Sequence, residues 1–185
     1  MVNSSTMDRT SGHDIKAEAG IGLGSNLGDR LANLRTARER LEALPGVRLL
    51  GKSSVYETEP VGVPEAYASL DFLNAVAVFE VSIPLEDWSD AVHGIEDALL
   101  RRRSGVRNAP RTIDLDLLYF GDAVADKPHL HLPHPQSVSR RFVCQPLADL
   151  RPGLVLPGET RTIADILAAL PREPKVARLA PPSAW

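Results

Sequence analysis

Two stretches of this chain alternate with period two, DFLNAVAVFEV at 71–81 and TIDLDLLYF at 112–120, and a helical pattern lies between them. In the first, Phe72, Asn74, Val76 and Val78 alternate with Leu73, Ala75, Ala77 and Phe79, which reads as a strand with two unlike faces. Pro84 then opens a helix that turns Leu85, Trp88, Val92, Ile95 and Leu99 inward. Upstream, a strand over Ala19–Leu23 enters the turn GSNLGD. A helix follows from about Asp29, its N-cap, with Leu31, Leu34, Leu41 and Leu44 on one face. Pro45-Gly46 stops that helix, and VRLLGKSSVYETE reads as the next strand. The order β-α-β-β-α-β predicts an α+β fold: a ferredoxin-like core with a mostly antiparallel sheet and helices packed on it. The remainder, from HLHLPHP to the short helix TIADILAALP, forms a C-terminal appendage. Residues 1–18 read as a disordered leader, 19–170 as one domain and 171–185 as a loose tail.

The second alternating stretch carries the chemistry. Asp114 and Asp116 point to the same side of their strand, about 6.6 Å apart along it. Two like charges that close repel unless solvent or a cation neutralises them. Arg101, Arg102, Arg103, Arg107 and Arg111 lie within the eleven residues just upstream. Mg²⁺ takes one or two carboxylates together with phosphate oxygens, and arginine forks neutralise the remaining phosphate charge. The pattern therefore points to a Mg²⁺–polyphosphate site, against the plainer reading of a solvated acidic face beside a charged turn.

Two other phosphate-like motifs carry less. GVRLLGKS at 46–53 fits the P-loop pattern letter for letter, but a helix precedes it and extended chain follows, the reverse of what a P-loop needs. GLGSNLG at 22–28 misses the dinucleotide fingerprint by one residue. His129 and His131, with His134 nearby, raise the possibility of a zinc site, yet no cysteine stands within reach of them.

Composition excludes several classes. A formal net charge of −3 gives no general attraction to nucleic acid or to an anionic membrane. The single cysteine, Cys144, rules out an internal disulfide framework and suits a reducing, cytoplasmic setting. No apolar run is long enough to span a bilayer.

Several stretches occur together in one order: GSN at 24–26, TEPVG at 58–62, DFLN at 71–74, PRTIDLD at 110–116, and LPH with RRF at 132–142. In this the chain resembles the 6-hydroxymethyl-7,8-dihydropterin pyrophosphokinase family across roughly residues 19–170. The resemblance implies transfer of pyrophosphate from ATP to the pterin hydroxymethyl group, releasing AMP, by a cytoplasmic and monomeric enzyme. Carried over by position, it implies that Asp114 and Asp116 hold two Mg²⁺ ions on the ATP phosphates. Arg101 and Arg111 clamp those phosphates in a loop that closes over the nucleotide, and His134 and Arg140 approach from the other side. Phe72 and Phe142 sandwich the pterin, Asn74 meets its amide edge, and backbone groups of Thr58, Pro60 and Gly62 complete that edge. The chain departs from some relatives at Asn108-Ala109, where they carry tryptophan and glycine, at Pro135, and at Arg141, which replaces a glycine.

Two readings from other classes stand beside this one. A zinc-dependent phosphohydrolase would use the histidines and release orthophosphate. A non-catalytic ferredoxin-like binding module, of the kind that recognises RNA, would need stacking aromatics and basic residues on its central strands, and DFLNAVAVFEV has no lysine or arginine. The false P-loop supplies a test. Lys52→Ala should cost about 0.5 kcal/mol or less and leave ATP affinity and turnover intact, whereas Arg111→Ala should fail. The reverse ranking in ATP titration would restore the P-loop.

Overall fold

The computed structural model of the chain describes residues 16–60, 65–67, 69–99 and 112–185. Strand β1 (Ala17–Ser25) leads to helix α1 (Arg30–Glu42), then β2 (Val47–Lys52), β3 (Val55–Thr58), β4 (Phe72–Val81), helix α2 (Leu85–Leu99) and β5 (Asp114–Phe120). The main sheet runs in the order β5-β1-β4-β3, with β2 also paired to β4, and the pairs are antiparallel. This is the ferredoxin-like arrangement that the element order predicts.

Local chemistry explains the boundaries. The Asp29 side chain accepts from the Ala32 N–H at 3.0 Å and so caps α1. Gly46, at φ 78°, turns the chain out of that helix into β2, a backbone setting that a side chain would strain. The stretch that reads as one strand over VRLLGKSSVYETE is two. The Ser53 hydroxyl takes the Val76 N–H at 2.9 Å while the Ser53 N–H reaches the Val76 carbonyl, so the side chain intrudes on the ladder and breaks it.

The two faces of the sheet bury separate cores. Ile21, Leu23, Ala75, Phe79 and Leu115 pack beneath Leu34 and Leu41 of α1 and Trp88 and Val92 of α2. On the opposite face, Val76, Val78, Leu118 and Tyr119 are covered by helix α3 (Arg141–Leu150) and helix α4 (Ile163–Ala169) through Val143, Leu147, Ile163 and Ile166. The appendage thus supplies the second layer. Before it, β6 (Ala125–Lys127) and β7 (Leu130–Leu132) form a small hairpin of their own.

Strict alternation along β5 would set Tyr119 beside Leu115 and Leu117, but a bulge intervenes. Gly20 pairs with Tyr119 and Ile21 with Leu117, so Leu118 is the extra residue. Tyr119 is thereby turned onto the α3 face, where its ring takes the space that a side chain at Gly20 would fill and its hydroxyl donates to Glu18 at 2.7 Å. Glu18 also takes two guanidinium nitrogens of Arg151, which holds its carboxyl below the usual range.

The loose tail expected over 171–185 is instead ordered structure. Strand β8 (Val176–Ala180) pairs antiparallel with β3 and extends the sheet. Trp185 is 2% exposed, and its indole N–H donates to the Ser53 carbonyl at 2.9 Å. The Lys52 ammonium, which the sequence reading leaves in water, lies 5.7 Å from the centre of that indole. Its removal should therefore cost about 0.5–1 kcal/mol, the scale of an exposed cation–π contact. Lys52 sits on a strand paired with Ala77, with no helix after it, as a false P-loop requires.

Gly20→Ala should destabilise the fold by about 1–3 kcal/mol, because a methyl there meets the Tyr119 ring and neither strand can yield. Urea unfolding of the variant beside its parent measures this. An unchanged midpoint would mean that the ring is free to move.

Candidate functional site

The cleft is built across three neighbouring strands. In β1, Ala19, Ile21 and Leu23 face the first core, and Gly20, Gly22 and Gly24 face the other way. The register puts Asp116 on β5 beside Gly22, and Asp114 beside Gly24. Gly24 is in turn paired with Asn74 on β4. A Cβ at Gly24 would touch Asn74 Oδ1 at 3.4 Å and Asp114 Cβ at 3.8 Å, so the bare strand leaves open space between the two side chains. Asp114 and Asn74 thus stand two strand spacings apart, about 10 Å.

The result is a cleft of about 510 Å³, floored by Gly22 and Gly24. Asp114, Asp116 and His134 line one part of it, and Thr58, Phe72, Asn74 and Phe142 another. Asn74 is 8% exposed and donates from Nδ2 to the Thr58 hydroxyl at 2.7 Å. That bond fixes the amide plane and leaves its oxygen turned to the cleft floor, next to Gly24. Arg140 lines the cleft and holds its guanidinium 5.5 Å from the Phe142 ring centre. The His134 Nε2 lies 3.8 Å from an oxygen of Asp116.

The sequence-derived site therefore comes together at one place for Thr58, Phe72, Asn74, Asp114, Asp116, His134, Arg140 and Phe142. Pro60, two residues beyond Thr58, is half-buried at the strand end. Gly62, Arg101 and Arg111, with the rest of the arginine loop and its expected closure, lie outside the described residues.

One acid escaped the sequence reading. Glu96, on the inner side of α2, accepts the Leu115 N–H at 2.9 Å, covering a backbone donor on the outer edge of β5. Burial pushes its carboxyl up to about 7, and the charges of Asp114 and Asp116 add to the rise. Its signal was present: Glu96 falls one turn after Val92 and beside Ile95, an acid in an apolar stripe. Asp114 and Asp116, side by side in the cleft, concentrate negative charge that a hard cation bound also to phosphate oxygens and water would relieve, so this carboxylate pair fits Mg²⁺.

The other histidines do not assemble a metal centre. His93, His129, His131 and His134 border a smaller hollow of about 400 Å³ on the far side of Asp116, and His131 Nδ1 lies 2.9 Å from an Asp126 oxygen. Among the described residues no group of three His, Cys, Asp or Glu side chains is placed to hold a metal ion. Nor, among them, is any helix long and apolar enough to cross a membrane.

The family described as 7,8-dihydro-6-hydroxymethylpterin-pyrophosphokinase matches residues 20–152. A 2-amino-4-hydroxy-6-hydroxymethyldihydropteridine pyrophosphokinase of Pseudomonas aeruginosa is 39% identical over 153 residues, which is 83% of this chain and 91% of that one. The enzyme of the same name from Methylorubrum extorquens is 39% identical over 150 residues, 81% of this chain and 91% of its own. Among solved structures, wild-type HPPK-DHPS of Plasmodium falciparum with STZ-DHP superposes with a TM-score of 0.63 at 17% identity, over 85% of this chain and 44% of that one. At that identity the likeness concerns the fold.

The raised carboxyl of Glu96 has a consequence for stability. Its proton is held more tightly in the folded state, so folding is favoured at low pH, and the advantage is lost as pH rises from about 4.5 through about 7. With divalent metal chelated, the parent should lose thermal stability between pH 5 and pH 8 relative to Glu96→Gln, whose amide oxygen can still accept the Leu115 N–H. Parallel melting curves would refute the raised pKa.

Proposed function

The chain belongs to the 7,8-dihydro-6-hydroxymethylpterin-pyrophosphokinase family, and from that membership we propose how its cleft performs the family's reaction. The reaction is transfer of pyrophosphate to the hydroxymethyl group of 6-hydroxymethyl-7,8-dihydropterin, a step of folate biosynthesis. ATP is the donor. The pterin hydroxyl oxygen attacks the β-phosphorus and gives up its proton to solvent, the bond from the β-phosphorus to the oxygen that bridges it to the α-phosphorus breaks, and AMP leaves with that oxygen and its electron pair.

The observation that carries the reading is the row Asp114–Gly24–Asn74 across three strands, with carboxylates at one end and an amide at the other. Asn74 offers an amide to the pterin amide edge, held in plane by Thr58. Phe72 and Phe142 give the flat ring two apolar faces, and the bare glycine floor lets it lie low against the sheet. Asp114 and Asp116 would hold two Mg²⁺ ions, which supply charge neutralisation to the triphosphate. Arg101, Arg111, Arg140 and His134 take the remaining phosphate charge. Catalysis of this kind is mostly positioning and electrostatic stabilisation, since the side chains form no covalent bond to the phosphate. Neither the zinc phosphohydrolase nor the non-catalytic module finds support in the family match.

Product analysis with ATP, Mg²⁺ and the hydroxymethyl dihydropterin tests the reading. AMP should form in step with pterin diphosphate, and ADP or free phosphate would overturn it. Asp114→Asn and Asp116→Asn should each lower turnover by roughly 10³-fold or more at saturating Mg²⁺ while leaving the melting curve near the parent's. Near-normal turnover in both would end the metal assignment.

A further inference from the structure

The family match ends at residue 152, yet the cleft does not. Leu170, Pro171, Glu173, Pro174 and Val176 also line it, together with Phe72, Asn74 and Phe142. They belong to the last stretch of the chain, which leaves α4, passes along the cleft and ends in β8 and Trp185.

This stretch is tied down at both ends. Where it begins, one guanidinium nitrogen of Arg141 donates to the Leu170 carbonyl at 3.0 Å and the Leu167 carbonyl at 3.1 Å, with the Pro171 carbonyl at 3.4 Å. The Leu167 and Leu170 carbonyls are ones that the end of α4 leaves without partners inside the helix, and a cation suits that end. Arg141 is also the first residue of α3 and directly precedes Phe142, so it fastens the stretch to the helix that carries a stacking ring. Where the stretch ends, Val176 pairs with Thr58, Arg178 with Tyr56 and Ala180 with Val55. Beyond β8, Trp185 is buried with its N–H on the Ser53 carbonyl, and Arg35 donates to the Ala184 carbonyl at 2.8 Å.

We propose that Leu170–Val176 forms the acceptor-side wall of the cleft, and that Arg141 is the positioning residue that sets pterin affinity by holding this wall against α3. The assignment to the acceptor, and not to ATP, follows from the neighbours. Val176 is paired with Thr58, whose hydroxyl orients Asn74, and Arg141 adjoins Phe142. Asp114 and Asp116 stand at the other end of the row, about two strand spacings away. Leu170, Pro171, Pro174 and Val176 present an apolar surface suited to a flat heteroaromatic ring and offer nothing to a polyphosphate. The inference rests on the placing of the pterin between Phe72 and Phe142.

Full-length Arg141→Ala, Arg141→Lys, Trp185→Phe and Phe142→Ala, assayed for the KM of each substrate, test it. Arg141→Ala should raise the pterin KM by about tenfold, the scale of one or two lost apolar contacts. The ATP KM should stay within about twofold, since a loss of general fold quality lowers the active fraction and not one KM alone. Arg141→Lys keeps a cation that can reach the carbonyls and should recover part of the loss. Should the alanine variant fail to fold, Arg141→Lys and Trp185→Phe, each with a smaller rise confined to the pterin KM, decide the matter. An unchanged pterin KM in folded Arg141→Ala, or equal rises for both substrates, overturns the wall while a raised pterin KM in Phe142→Ala leaves the acceptor site standing. If Phe142→Ala itself binds pterin normally, the acceptor placement fails and the wall fails with it.

Discussion

The site depends on one strand, β1, whose residues 20, 22 and 24 are all glycines, so that beyond Glu18 one of its faces carries no side chain. Ala19, Ile21 and Leu23 of β1 anchor the strand in the first core, while Gly20, Gly22 and Gly24 leave its other face bare. Because β1 lies between β5 and β4, that bare face separates the aspartates from Asn74 and Phe72 and becomes the floor of the cleft. A side chain at Gly24 would fill the space between Asp114 and Asn74. Glycine in a strand costs backbone entropy and gives no packing, and here the first core and two full ladders of hydrogen bonds hold the strand in place.

The same glycine stripe continues out of the cleft. At Gly20 the missing side chain admits the Tyr119 ring, turned there by the bulge at Leu118. Tyr119, Glu18 and Arg151 then join β5, β1 and the end of α3 through hydrogen bonds of 2.7–2.9 Å. Burial and the Glu18 carboxylate push the Tyr119 phenol far up, so it remains a donor throughout the physiological range. A second link runs from Tyr56 on β3 and the Ser54 N–H to Asp149 on α3. The helix that carries Phe142, with Arg140 just before it, is thereby fastened to β1 and β5 on one hand and to β3 on the other, which fixes those residues relative to the aspartates.

Much of this was legible in the residue pattern. The alternation of DFLNAVAVFEV, the Asp29 cap and the stripe from Leu85 to Leu99 each placed an element close to its observed bounds, because local sterics and burial determine them. The common side of Asp114 and Asp116 followed from the strand period alone. Less was legible where an element depends on a distant partner. β8 has no strong pattern of its own and exists because the outer edge of β3 offers unpaired backbone groups. Trp185, the last residue, is buried because α1 and β3 leave a slot for an indole, and no local signal announces that slot. Glu96 could have been noticed as an acid in an apolar stripe, but its task became visible only with β5 beside it.

By itself the sequence determined the α+β class and the order of the core elements along the chain, and it singled out residues that come to line one cleft, since these rest on short-range periodicity and on a specific set of motifs. The tertiary structure decided three further matters: the bulge that moves Tyr119 across the sheet, the second helical layer, and the closing of the cleft by the end of the chain. Each involves contacts between residues far apart in sequence, such as Glu18 with Arg151, Arg141 with Leu170, and Trp185 with Ser53. Their energies arise only when the sheet has already brought the partners together, so no window of neighbouring residues could have contained them.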